Sequence, residues 1–221
     1  MKFRSIIILK KTMKIVFISD THSRHYDVDI PNGDMLIHAG DLSSRGKPEE
    51  ITDFLNWFSN QPHKYKIFIA GNHDFFFEKE HEDEIKNIIP KNVIYLNDSG
   101  IEIEDIKIWG SPVQPEFYNW AFNRKRGKEI KKHWDLIPLD TDILITHGPP
   151  LNILDKTVRG DIVGCEDLLN AVNKIKPKIH VFGHIHEDNG VLKKNDTTFI
   201  NASILNERYR NTNDPIIYNY E

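Results

Sequence analysis

The chain has 221 residues, 39% hydrophobic and 28% charged, with 29 basic against 33 acidic side chains and a formal net charge of −4. That balance excludes a disordered chain, and ordinary glycine and proline usage excludes collagen-like or low-complexity sequence. The mild acidity leaves no strong nucleic-acid footprint, and the single cysteine, Cys165, excludes an intramolecular disulfide and points to a reducing, cytoplasmic setting.

In chain order, residues 1–13 read as an N-terminal extension or alternative start, with an added edge strand as a further reading, and 14–221 as one domain. The apolar run Ile6–Leu9 falls far short of the ~20 residues a membrane helix needs. From Lys14 one theme recurs, a strand-length apolar run that stops at a polar turn. Lys14–Ser19 stops at Asp20-Thr21-His22, Asp34–Ala39 at Gly40-Asp41, and Lys66–Ala70 at Gly71-Asn72-His73-Asp74. Asp142–Ile145 stops at Thr146-His147-Gly148, and Lys178–Phe182 at Gly183-His184-Ile185-His186. Runs rich in Ile and Val without strict alternation suit strands covered on both faces. Helical periodicity predicts helices over Glu49–Ser59, Lys79–Ile89, Lys125–Trp134 and Cys165–Ile175 between them. Val93–Trp109 and Gly190–Ala202 read as shorter strands of a second, more antiparallel sheet.

Parallel strands align their C-terminal ends along one sheet edge, so distant turns can meet in one crevice. The candidates there are Asp20, His22, Asp41, Asn72, His147, His184 and His186, which are oxygen and imidazole donors without a thiolate. Such a set suits Mn, Fe, Ni or Zn better than Ca or Mg. Seven donors exceed the needs of one open catalytic ion, whereas two divalent ions ~3.5–4 Å apart, sharing a carboxylate, would use them all. Two such ions against two aspartates leave a charge of about +2, which attracts hydroxide and a phosphodiester. The expected chemistry is phosphoester hydrolysis, with metal-bound hydroxide as nucleophile.

These five blocks, in this order and after strands, resemble those of the calcineurin-like metallophosphoesterases. Ile69-Ala70-Gly71-Asn72-His73, Gly110-Ser111-Pro112 with Trp120-Ala121-Phe122-Asn123, Thr146-His147-Gly148-Pro149-Pro150 and Ile200-Asn201-Ala202-Ser203 are similar to the metallophosphoesterase-domain-containing branch. The resemblance implies an α/β fold, a four-layer αββα sandwich of two mixed sheets flanked by helices. It also implies that Asp20, His22, Asp41 and His186 hold one ion, and Asp41, Asn72, His147 and His184 the other. It makes His73 the general acid for the leaving group. Some members of the branch carry glycine in place of the first histidine of the last pair; here it is His184, which implies an intact two-ion site. The phosphoprotein phosphatases carry an acidic residue where this chain has Ser44, which argues against their mechanism. Arg45 matches their phosphate-gripping arginine, and a surface arginine in a turn is the other reading. The activity implied is hydrolysis of small phosphodiesters, 2′,3′- or 3′,5′-cyclic nucleotides foremost, with manganese as the first expectation among the metals. A nucleotide-binding signalling or scaffold module with little turnover is the alternative.

Phe117, Tyr118, Trp120 and Phe122 lie in a long connection and read either as core or as a wall that stacks a nucleobase, with Trp120 and Asn123 in contact with substrate. His38 and His180, inside apolar runs, read as buried partners behind the site, and His25, His63, His81 and His133 as surface residues. The basic run Arg124–Lys132 reads as a solvated helix face, Phe75-Phe76-Phe77 as packing, and Cys165 as structural.

Overall fold

β-branched side chains pack well on a pleated surface, and the Ile- and Val-rich runs form the central strands. The structure, a computed structural model, describes residues 12–221. In chain order the first strands are β1 (Met13–Ile18), β2 (Met35–Ala39), β3 (Tyr65–Ile69), β4 (Ile94–Tyr95), β5 (Ser99–Ile103) and β6 (Ile106–Ser111). A short pair follows, β7 (Gln114–Pro115) and β8 (Asn123–Arg124), then β9 (Ile143–Thr146), β10 (Ile179–Phe182), β11 (Gly190–Lys194), β12 (Thr197–Asn201) and β13 (Ile216–Tyr220). The helices are α1 (Pro48–Ser59), α2 (Phe76–Lys79), α3 (Glu82–Ile88), α4 (Lys128–Trp134) and α5 (Glu166–Ile175).

Two mixed sheets result, ordered β13-β1-β2-β3-β4 and β11-β12-β10-β9-β6-β5. The interior pairs are parallel, with β13, β11 and β5 antiparallel at edges. Side-chain alternation sorts the core into layers. Ile15, Phe17, Ile37 and Ile67 of the first sheet pack with Ile108, Ile143, Ile179 and Ile200 of the second. The opposite face of the first sheet, with Val16, Leu36 and Phe68, is covered by Ile51, Phe54, Leu55 and Phe58, one stripe of α1. Leu144, Phe182 and Phe199 of the second sheet pack against Ile130 and Trp134 of α4 and Leu168 and Val172 of α5. The architecture is the expected helix–sheet–sheet–helix sandwich.

Local boundaries differ from the sequence reading in instructive places. The expected helix over Lys79–Ile89 is α3, which begins only at Glu82, because Lys79 ends the separate helix α2 and Glu80 after it is extended, at φ −81° and ψ 156°. α4 starts at Lys128 rather than Lys125 because Gly127 enters it at φ 81°, a conformation that suits glycine. Cys165 is the N-cap of α5, and its sulfur accepts from the Leu168 N–H at 3.4 Å. The edge of the first sheet beside β1 is taken by β13, a strand the sequence reading did not mark. The expected N-terminal extension or added edge strand falls on residues that, but for Thr12 and Met13, lie outside those described. Among the described residues, no helix is long and apolar enough to cross a membrane.

Candidate metal centre

The chain turns sharply where the central strands end, and the turns carry unusual backbone. Asp20, His22, Asp41 and His184 have φ of 55°, 42°, 56° and 68°. Left-handed backbone costs an L-residue about 1–2 kcal/mol, so these turns depend on their cross-links. The Asp20 N–H donates to Gly40 O (2.9 Å), His22 N–H to Asp41 O (3.0 Å) and Gly183 N–H to His147 O (3.0 Å). Two glycines permit the close approach: a Cβ on Gly71 would collide with the Asp41 carboxylate, and one on Gly183 with the Asp20 carboxylate and Ser19.

All seven candidate donors meet in this crevice, contributed by both sheets. Asp20, His22 and His186 form one group that could hold a cation, and Asp41, His147 and His184 another. In the first, His186 Nε2 lies 3.4 Å from Asp20 Oδ1 and 3.2 Å from His22 Nε2. In the second, His147 Nε2 lies 3.4 Å from Asp41 Oδ2, and Asn72 Oδ1 lies 2.9 Å from both His147 Nε2 and His184 Nδ1. Asp41 sits between the groups, its Oδ2 also 3.5 Å from His22 Nε2. A third set, His22, Asp41 and His73, has donor atoms equally close together.

The hydrogen-bond inventory shows that these residues fit cations. His147 Nδ1–H donates to Ala39 O and His186 Nδ1–H to Asn206 O, each at 3.0 Å. In the neutral rings this leaves both Nε2 lone pairs aimed at oxygen acceptors, an arrangement that needs a positive centre. With protons alone to balance them, burial opposes a charge on either ring, yet Asp41 lifts His147 and Asp20 lifts His186 to about 9. Burial holds His22 at about 4 and His184 at about 3. Burial would raise the carboxyls, but His186 and His147 keep Asp20 and Asp41 well below their usual range.

Around the donors, each remaining candidate has a defined place. His73 Nδ1–H donates to the carbonyl of Ser44 at 2.8 Å, so a backbone oxygen stands where the phosphoprotein phosphatases use an acid. Trp120 lies flat on the His73 ring, with centroids 4.2 Å apart at 28°. Arg45 is exposed in the adjoining turn, where its N–H donates to Glu50 at 3.0 Å. The Asn123 amide donates to the carbonyls of Phe117 (3.1 Å) and Tyr118 (2.8 Å), fixing the loop between β7 and β8. The aromatic segment thus divides: Phe122 is core, whereas Phe117 and Tyr118 are exposed. Asp74, fully buried, accepts from the N–H groups of Leu42, Ser43 and Gly71 and from the Ser43 hydroxyl, tying the turns after β2 and β3 together.

His38 and His180 are buried behind the centre, bonded to Thr21 (3.0 Å) and Thr146 (2.8 Å), the neighbours of Asp20 and His147. His25 and His63, expected on the surface, are also buried. His25 packs against Phe54 and Trp57, and His63 bonds the Pro31 carbonyl at 3.0 Å. One site residue escaped the sequence reading. Tyr209 lies edge-on to His22 and His186 at centroid distances of 4.9 and 5.2 Å, in a turn where Asn206 Oδ1 accepts from the N–H groups of Arg208 and Arg210. The turn-forming asparagine was the available signal.

Two helix-covered sheets that bring aspartate, asparagine and histidine together at their strand ends define a metallophosphoesterase. Residues 13–188 match the calcineurin-like phosphoesterase family, so the chain belongs to that family of phosphoester hydrolases. It is similar to human Metallophosphoesterase domain-containing protein 1, at 42% identity over 92% of this chain and 70% of that protein. Similarity to UPF0046 protein K07C11.7 of Caenorhabditis elegans is 40% over 93% of this chain and 74% of that one. Among solved structures, phosphopantetheinyl hydrolase from Mycobacterium tuberculosis shares the fold, with a TM-score of 0.64 at 15% identity over 89% of this chain and 90% of that one.

Proposed function

We propose that this chain is a dinuclear metal-dependent phosphodiesterase that hydrolyses small phosphodiesters, with 2′,3′- or 3′,5′-cyclic nucleotides as its substrates. The observation that supports it most is the pair of donor groups on either side of Asp41. Asp20, His22, Asp41 and His186 would hold one divalent transition ion, and Asp41, Asn72, His147 and His184 a second, with Mn first and Fe, Ni or Zn as alternatives. Such ions supply Lewis acidity toward the phosphate oxygens and lower the pKa of water.

The chain's own groups do the rest. His73 commits Nδ1–H to Ser44, so Nε2 is the atom that would carry a proton to the departing alkoxide. Trp120 keeps the imidazole plane fixed. Arg45 reaches for phosphate from the neighbouring turn, Trp120 borders the substrate, and Asn123 acts through the loop it fixes. We place the protein in the cytoplasm, on the strength of a lone, buried thiol at Cys165.

The test is a screen of bis(4-nitrophenyl) phosphate, both classes of cyclic nucleotide and phosphomonoesters against Mn, Fe, Ni and Zn, with bound metal counted. Diester cleavage with two ions per chain is expected. Calorimetric nucleotide binding without cleavage under every metal would replace the enzyme with a signalling or scaffold module.

A further inference from the structure

A cavity of about 430 Å³ opens beside the centre, and His184 lines both. Its lining is largely apolar, with Phe117, Pro149, Ile162 and Ile185, and also includes Glu116 and Glu187. Phe117 and Ile162 keep 57% and 45% of their surface exposed, so each can offer apolar area to a ligand in the cavity. Arg126, the cation of the lining, is held in place: its guanidinium donates to the carbonyls of Val163 and Gly164, both at 2.8 Å, and keeps its charge.

The cavity is built in advance rather than left by a loose loop. Asp155, buried, accepts from the N–H groups of Asn152 and Gly164, both at 2.9 Å, and so closes the base of the loop that carries Ile162. Glu187 accepts from the Val158 N–H at 2.8 Å, pinning that loop to the turn after His186. On the opposite wall, Asn123 holds the Phe117–Tyr118 turn. A preformed apolar pocket with a few fixed polar groups is the usual form of a ligand subsite.

We infer that this cavity receives the ester arm that stays on phosphorus, and that it selects an uncharged, flat or apolar arm over a small or an anionic one. This rests on the phosphodiesterase reading above. The leaving group belongs on the side of His73, which packs against His22 and Trp120, whereas the cavity opens at His184 in the other donor group. Two carboxylates against one guanidinium leave the lining net negative, which disfavours an arm bearing further phosphates or a carboxylate. An aryl group has the right chemistry; a cyclic nucleotide, whose two ester oxygens share one ribose, has no separate retained arm and would place only its base here.

The experiment compares arms at constant leaving group. On manganese-loaded protein, kcat/KM is measured for the methyl, phenyl and 4-carboxyphenyl diesters of 4-nitrophenyl phosphate, and calorimetry measures binding of methyl phosphate and phenyl phosphate. Burial of a ring predicts a phenyl preference of about tenfold in both readouts, lost by the 4-carboxyphenyl ester. The phenyl-to-methyl ratio should fall toward one in Phe117→Ala and in Ile162→Asp, two exposed positions that tolerate substitution. Equal binding of the two phosphates by the unsubstituted protein, no binding of either, or a ratio untouched by both variants overturns the subsite. Preferential binding without turnover keeps the subsite and removes the hydrolase reading instead.

Discussion

His73 has one ring nitrogen occupied by the Ser44 carbonyl and one face covered by Trp120, so Nε2 is the nitrogen on which the proposed acid role rests. His73→Ala should keep two ions per chain yet lose roughly 10²–10⁴-fold in turnover of cyclic nucleotides. 4-Nitrophenyl esters, whose leaving group needs no proton, should lose far less; equal losses would contradict the acid role. His184 offers a different test, because its φ of 68° suits glycine better than histidine. Elemental analysis of His184→Gly should show one ion lost. Denaturant titration in chelator should show a stability cost below about 1 kcal/mol, since release of the backbone strain offsets lost contacts.

At the scale of elements, the ends of β1 and β10 approach so closely that Gly183 has no room for a methyl group. Gly183→Ala should destabilise the chain by about 2 kcal/mol and expel the ion nearest Asp20, read by unfolding and by metal content. The sequence made this meeting point legible, because apolar runs that stop at Asp20, Asp41, Asn72, His147 and His184 name both the strands and the donors. β13 was not read from it, although Ile216–Tyr220 is rich in β-branched and aromatic residues and follows the turn cluster Asn213-Asp214-Pro215; what the sequence could not show is that this strand pairs with β1. For Tyr209 the sequence offered only the asparagine turn, because tertiary folding alone brings its ring to His22. His25 and His63 were misplaced because an isolated histidine carries no burial signal of its own.

Across the molecule as a whole, two of the buried histidines that the centre does not use as donors lie within strands, one in each sheet. Burial depresses His38 and His180 from the ordinary 6.5 to about 3. Between those values the unfolded chain binds the proton and the folded chain does not. Stability present above pH 6.5 is therefore lost as the pH falls, by roughly 1 kcal/mol per pH unit for each ring. Urea unfolding of chelated protein between pH 7 and 5 should show a loss of stability as the pH falls. His22 and His184, also held low by burial, add to that loss, and His147 and His186, held high, act against it. His180→Gln should make the loss shallower, and an unchanged slope would remove His180 from the account.

Asp20 joins the two sheets as well as facing the crevice: it stands at the end of β1, yet its carboxylate accepts from the His184 N–H at 3.1 and 3.0 Å and from the Ser203 hydroxyl at 2.8 Å, both across the sandwich. A carboxylate with an architectural duty outlives a catalytic one. Descendants of this chain that abandon hydrolysis will be expected to retain Asp20 as a rivet, so its presence in a paralogue is a poor marker of living chemistry, and Asn72 and His184 are the residues whose loss should announce retirement.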